Sequence, residues 1–179
     1  NAYLAGLDLP ATEAIFISHT HMDHIGGLPN LLWTLRKLTT LSSDAHQRLT
    51  DHEIALFIPD LDVYEGILTM LHGTEGEFST VFGIDAKPCR DGTLYEEHGV
   101  RVTARHNYHL GSSAPFKSFS YRIEIGARSI VYSGDVKSIT DFEGIIDNCT
   151  LLLMETGHHS VEDVCCHLRA SGTSFGTLV

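Results

Sequence analysis

The chain has 179 residues and 42% hydrophobic content, enough to bury a substantial core in one globular domain over 1–179. Its formal net charge of −11 disfavours long polyanions, whose binding needs Lys and Arg to displace counterions. No apolar run approaches the length of a membrane span and no internal repeat is seen, which sets aside membrane-spanning and repeat architectures.

In chain order, the apolar run Ala14-Ile15-Phe16-Ile17 reads as a short buried strand. Directly behind it stands Ser18-His19-Thr20-His21-Met22-Asp23-His24-Ile25-Gly26-Gly27-Leu28, with four metal-ligating side chains in six residues. His19 and His21 lie two apart at a strand end, so both rings project to one side and can grip one ion. Asp23 and His24 fall where strand passes into helix, placed to serve a second ion. The two glycines that follow are expected to let the chain crowd close to an ion without Cβ obstruction. Taken singly, Asp23 is a helix N-cap and a lone histidine is structural, and the chain has twelve histidines. Three imidazoles and a carboxylate this close together are much harder to satisfy as packing, so metal binding is the reading.

Leu28, Leu31, Leu32, Leu35 and Leu38 then repeat at helical spacing and make the core face of a helix. Ala55-Leu56-Phe57-Ile58 is a strand ended by Pro59, followed by a second helical stripe of Leu61, Tyr64, Leu68 and Leu71. From Phe78 to Glu97 short strands are expected, with turns at Gly83 and Asp91-Gly92. Val100-Arg101-Val102-Thr103-Ala104, Ser120-Tyr121-Arg122-Ile123, Ser129-Ile130-Val131-Tyr132 and Thr150-Leu151-Leu152-Leu153-Met154 read as further strands, with a short helix around Phe142 to Ile146. Ser160 with Asp163 three later opens a helix whose core face is Val161, Val164, Cys165 and Leu168. Cys165 and Cys166 are adjacent while Cys89 and Cys149 lie far apart, which is no disulfide framework and points to a reducing cytoplasm.

The pattern His-x-His-x-Asp-His after an apolar strand, with Gly-Gly-Leu behind it, resembles the metallo-β-lactamase superfamily of metal-dependent hydrolases. The resemblance implies an α+β fold, a four-layer αββα sandwich with a one- or two-metal site at the sheet edge. It also implies two further ligands, a histidine after a later strand and a bridging aspartate. Two histidines compete for the first role, His106 and His109. His109, followed by Leu110-Gly111-Ser112, fits the family spacing better, and His106 would then orient a ligand or simply end its strand. The bridging carboxylate is Asp135 in Ser133-Gly134-Asp135, which would partly neutralise two cations held roughly 3.5–4 Å apart. The implied set is therefore His19, His21, Asp23, His24, His109 and Asp135. The family closes its second site with a histidine beyond a late strand, and Gly176-Thr177-Leu178-Val179 looks like the start of that strand. Asn1 is no natural initiator, so the chain reads as an internal piece lacking its first strands and its C-terminal end.

Such a site supports hydrolysis by a metal-bound hydroxide. Zinc suits the imidazole-rich set, two ions in all, with manganese or iron able to fill the oxygen-rich second position. Asp23 would orient the nucleophile or carry its proton, and His158, beside Glu155 at a strand end, would protonate the leaving group. Within the superfamily the motifs most resemble the ribonuclease Z and phosphodiesterase-like branch. The transfer-RNA processing enzymes carry His-Glu-Ala-Thr where this chain has Met154-Glu155-Thr156-Gly157. Six of the twelve basic residues, Arg101, Arg105, Lys117, Arg122, Arg128 and Lys137, fall in one stretch and are either solvated strand faces or a small phosphate-binding rim. The expectation is a small or short phosphodiester rather than a folded nucleic acid, no membrane partner, and a homodimer as the assembly to look for. A thioester, lactone or lactam substrate, or a non-catalytic metal- or cofactor-binding role, are the alternatives.

Overall fold

The computed structural model describes residues 5–179. Its backbone gathers into two compact units, Asn1–Pro88 and Cys89–Val179.

Unit 1 opens with a short 3-10 turn and β1 (Ala14–Phe16), then a one-turn helix α1 (Met22–Ile25), α2 (Gly27–Leu41) and α3 (Ser43–Leu49). It continues with β2 (Glu53–Ile58), α4 (Leu61–Glu75) and β3 (Gly83–Pro88). The three strands pair in parallel in the order β1-β2-β3, with Phe16 opposite Phe57 and Phe57 opposite Lys87. Parallel strands need crossovers, and α2–α3 and α4 supply them. The leucine stripe of α2 packs as the sequence predicts: Leu28, Leu32 and Leu35 are buried, while Leu31 and Leu38 sit partly buried at its margins. Leu32 and Leu35 are 1% and 0% exposed, and cutting either to alanine would cost about 2–5 kcal/mol. On α4 the buried stripe is Tyr64, Ile67 and Leu71 rather than one beginning at Leu61. Leu61 is the first residue after the Asp60 cap and stands exposed. Gly83 begins β3, where a turn is expected from the sequence, because the strand pairs from its first residue with Glu53.

Unit 2 is a six-stranded sheet in sequential order: β4 (Gly92–Glu97), β5 (Val100–His106), β6 (Phe119–Ile125), β7 (Arg128–Tyr132), β8 (Cys149–Leu153) and β9 (Phe175–Leu178). The first four strands are antiparallel and joined by short turns, apart from the loop 107–118 between β5 and β6. β8 and β9 run parallel to β7 and are reached through a 3-10 segment (Ile139–Ile145) and α5 (Val161–Ser171). The core gathers Val131, Phe142, Ile146, Leu152, Val164 and Leu168, all buried. On α5 the predicted face is narrower than expected. Val161 is exposed at the first turn and Cys165 is half-buried, leaving Val164 and Leu168 as its core contacts. Ser160 caps the helix as predicted, its Oγ accepting the Asp163 N–H at 3.1 Å.

Candidate metal centre

In unit 1 the chain leaves β1 with Ile17 donating its N–H to the Phe57 carbonyl at 2.9 Å, and this carries Ser18 and His19 past the strand end. His19 is fully buried, and its Nε2 lies 3.2 Å from His21 Nδ1 with the rings edge to face. The His24 ring lies 4.0 Å from the His19 ring, centroid to centroid. The Ser18 hydroxyl stands 3.3 Å from His19 Nδ1 and 3.4 Å from His24 Nδ1, so one side chain orients both rings from behind. Asp23 is exposed in the first turn of α1, its Oδ2 3.4 Å from His24 Nε2. The motif is thus three imidazoles and a carboxylate folded around one strand end, with α1 turning between His21 and Gly26.

Of the two glycines, Gly26 is the one the backbone requires. A Cβ on Gly26 would lie 2.7 Å from the Met22 carbonyl oxygen, whereas one on Gly27 would meet nothing within 4 Å. Gly26 lets α1 and α2 join at a tight backbone crossing.

In unit 2 the two sequence-predicted ligands stand side by side. His109 follows β5 in the 107–118 loop, and its Nε2 is 3.8 Å from Asp135 Oδ2, both side chains nearly buried. Asp135 comes after β7 through a turn that holds Gly134 at φ +58°, a left-handed conformation that glycine adopts without penalty. His158 joins them: its ring is 5.0 Å from the His109 ring and its Nδ1 is 3.9 Å from Asp135 Oδ2. His158 Nδ1 lies 3.2 Å from Glu155 Oε1, and Glu155 Oε2 accepts the His158 backbone N–H at 2.9 Å. Burial pushes the Glu155 carboxyl up, but the N–H groups of His158 and Val136, with the nearby His158 ring, outweigh it and hold it below the ordinary carboxylate value. His159 lies alongside, its Nε2 3.1 Å from the Val136 carbonyl.

His106 stands apart from this group. It ends β5, where its backbone N–H and ring Nδ1 both meet the Asp91 carboxylate, at 2.6 and 2.7 Å. Its ring stacks on Phe116 at 3.8 Å with the planes 9° apart. Those contacts close the two ends of the loop that carries His109. The basic stretch is partly internal too. Arg101 pairs with Glu96 and Arg105 with Asp91, while Arg122 donates to the Ile145 and Asp147 carbonyls at 2.9 Å each.

The donor chemistry fits a transition metal. Two donors on one tetrahedral zinc, each about 2.0–2.1 Å from it, stand roughly 3.3 Å from one another. The 3.2 Å between His19 Nε2 and His21 Nδ1 suits that spacing. The 3.8 Å between His109 Nε2 and Asp135 Oδ2 is beyond hydrogen-bond length and within the reach of two bonds to one ion. Sequence reasoning did not single out Ser18, Asn107, Ser120 or Ser133 as supports. Small polar residues beside a ligand motif are the available signal, and it is weak until burial is known.

A family model described as the beta-lactamase superfamily domain matches residues 2–173. The ribonuclease Z of Limosilactobacillus reuteri (strain DSM 20016) is 34% identical over 112 residues, which is 63% of this chain and 31% of that protein. The chain therefore matches less than two thirds of the length of this curated relative. The crystal structure of human tRNase Z, short form, superposes with a TM-score of 0.71 at 17% identity, over 97% of this chain and 76% of that one. The metallo-beta-lactamase fold protein YhfI from Bacillus subtilis gives 0.60 at 19% identity, over 98% of this chain and 62% of that one. The two likenesses show the fold, the α+β sandwich expected from the sequence.

Proposed function

Because this chain belongs to the beta-lactamase superfamily, we propose that it is a metal-dependent hydrolase of phosphodiester bonds, of the ribonuclease Z-like branch. The observation that carries the reading is the gathering of imidazoles and carboxylates at strand ends, His19, His21 and His24 with Asp23 in one group, and His109 with Asp135 in the other. That donor set suits zinc, with manganese or iron as alternatives at an oxygen-rich position. We assign His19, His21 and His109 to one ion, Asp23 and His24 to a second, and Asp135 to both. The single family match over residues 2–173 supports reading the two units as one domain.

A metal held there supplies two things, an activated water near neutral pH and polarisation of the phosphoryl group. The chain's own residues do the rest. Asp23 is exposed beside His24, where its carboxylate can accept a proton from the attacking water. His158 is half-exposed, and Glu155 fixes its Nδ1, so Nε2 is the nitrogen available to protonate the departing oxygen. Phosphodiesters are favoured over carbon-centred esters because the curated relative is a ribonuclease Z.

Within phosphodiesters, the net charge of −11 and the internal pairing of Arg101, Arg105 and Arg122 support a small or short substrate. The ribonuclease Z relative favours a second reading, an RNA substrate. A cytoplasmic location is proposed with either, since all four cysteines are free thiols. Among the described residues no helix is long and apolar enough to cross a membrane.

The test is hydrolysis of bis(p-nitrophenyl) phosphate, a dinucleotide, a precursor transfer RNA and a thioester by protein stripped with chelator and reloaded with zinc. The proposal expects zinc-restored cleavage of the phosphodiesters and none of the thioester. Thioester cleavage alone would overturn it.

A further inference from the structure

Four polar side chains of unit 2 are almost completely buried: Asn107 and Ser118 at 1% exposure, Ser120 and Ser133 at 0%. Buried polar groups must be paired, and these are paired with one another in a single chain. The His109 backbone N–H donates to Asn107 Oδ1 at 3.2 Å. Asn107 Nδ2 donates to Ser120 Oγ at 3.2 Å, and Ser120 Oγ donates to the Ser133 carbonyl at 2.5 Å. Ser133 Oγ donates to the Gly134 carbonyl at 2.7 Å and accepts the Glu155 N–H at 3.0 Å. Ser118 Oγ braces the near end, donating to the Asn107 carbonyl at 3.1 Å and accepting the Leu110 N–H at 3.2 Å.

The place of this chain in the sheet gives it meaning. Strands β5 and β6 are last paired at His106 and Phe119, and β6 and β7 at Tyr121 and Tyr132. Asn107 and Ser118 are the next residues beyond the first of these pairs, and Ser120 and Ser133 the next beyond the second. Side-chain hydrogen bonds join the last backbone bonds there, Asn107 N–H to the Ser118 carbonyl at 2.9 Å and Ser133 N–H to the Leu153 carbonyl at 3.0 Å, at the end of the sheet from which the loops of His109, Asp135 and Glu155 leave. Each of those three loops is tied to a member of the chain by its backbone, which fixes where its functional side chain starts.

We propose that Asn107, Ser120 and Ser133 are positioning residues that hold the His109 and Asp135 backbones in one fixed register, so that a metal meets a preset donor spacing. The proposal rests on the reading of His109 and Asp135 as metal ligands. Groups that orient ligands from behind change metal affinity by roughly 10- to 100-fold when removed. Ser120 is the central link, since its one hydroxyl both accepts from Asn107 and donates to Ser133.

The experiment uses zinc and cobalt as probes. Ser120→Ala cuts the chain at its centre with the loss of one oxygen. Asn107→Asp keeps the acceptor for His109 and loses the donor to Ser120 with almost no change of shape. Zinc affinity is read by competition against a chromogenic chelator, ligand geometry by the visible absorption of the cobalt-loaded protein, and folding by far-UV circular dichroism and thermal melting of the metal-free protein.

The expected result is a folded metal-free protein, zinc affinity lower by roughly 10- to 100-fold in each variant, and a shifted cobalt spectrum. The double variant should be little worse than the poorer single one, because both cut the same chain. Should Asn107→Asp fail to fold, Ser120→Ala decides. Wild-type zinc affinity with an unmoved cobalt spectrum in a folded variant would overturn the inference, even with a lowered melting temperature, since that is what a purely structural role gives. A wild-type protein that binds no zinc would overturn the metal reading itself, and this inference with it.

Discussion

The two groups of side chains proposed to form the site are built by different means. In unit 1 His19, His21, Asp23 and His24 come from one six-residue segment, and the adjacent Ser18 braces the His19 and His24 rings. In unit 2 His109, Asp135 and His158 come from three separate loops, and hydrogen bonds between residues far apart in sequence place them. The first group is a local motif whose geometry follows from a strand end and one helical turn. The second depends on the registration of a whole sheet. A local group should tolerate distant substitutions and fail at its own residues, whereas a distributed group should be sensitive at positions that never touch an ion.

The largest expected effect is at Asp135, the proposed shared ligand. Asp135→Ala should lower metal content and reduce phosphodiester turnover by roughly a hundredfold or more, read by elemental analysis and initial rates. Asp23→Ala should mainly deplete the second ion and leave the first in place, while still harming turnover, because its exposed carboxylate lies beside His24. Normal turnover in both would place the chemistry elsewhere.

His158→Ala comes next and bears on the distributed group. Loss of a general acid costs roughly 10²–10⁴-fold in rate, and metal content should stay at the wild-type level. The loss should be large for an alkyl leaving group and small for p-nitrophenolate, which departs without a proton. Equal losses for both leaving groups would remove the proton-donor role and leave His158 as a structural neighbour of Glu155.

Gly26→Ala probes the local group. The added methyl meets the Met22 carbonyl, so the junction of α1 and α2 must shift, at a cost of about 1–3 kcal/mol in thermal or urea unfolding. Since Met22 lies between His21 and Asp23, zinc affinity should fall with it. Gly27→Ala has open space and is the matched control.

These contrasts also explain what was legible in the sequence. The clustering of His19, His21 and His24, the leucine face of α2, the strands around residues 100, 120, 130 and 150 and the Ser160 cap all rest on local periodicity or local chemistry, and all are found. The stripe of α4 was misplaced at Leu61 because spacing alone cannot tell the first turn of a helix from its buried middle. Val161 on α5 failed in the same way. Gly83 was read as a turn because glycine usually marks one, but pairing with Glu53 draws it into β3. The Asn107-Ser120-Ser133 chain could not be read at all. Nothing in an asparagine or a serine says that it will be buried, and the partners are more than ten residues apart. His106 shows the same limit: its partner Asp91 is fifteen residues back, across a strand pair.

The smallest effect concerns the thiol of Cys89. Burial pushes Cys89 up to about 11, against a weaker opposing hydrogen bond from Tyr121. The folded thiol stays protonated where the unfolded one ionises, so its contribution to stability is present below the ordinary thiol value near 9.0 and is lost as pH rises from there toward about 11. Alkylation at pH 8 should therefore label the exposed Cys166 well before Cys89, measured by peptide mass mapping.

The most direct test of the metal account is the zinc content of the native protein after chelator stripping, reloading and removal of free ions. The account predicts zinc bound at up to two ions per chain, reduced in His19→Ala and in Asp135→Ala. A protein that remains zinc-free after reloading, or one whose zinc content is unchanged in both variants, would contradict it.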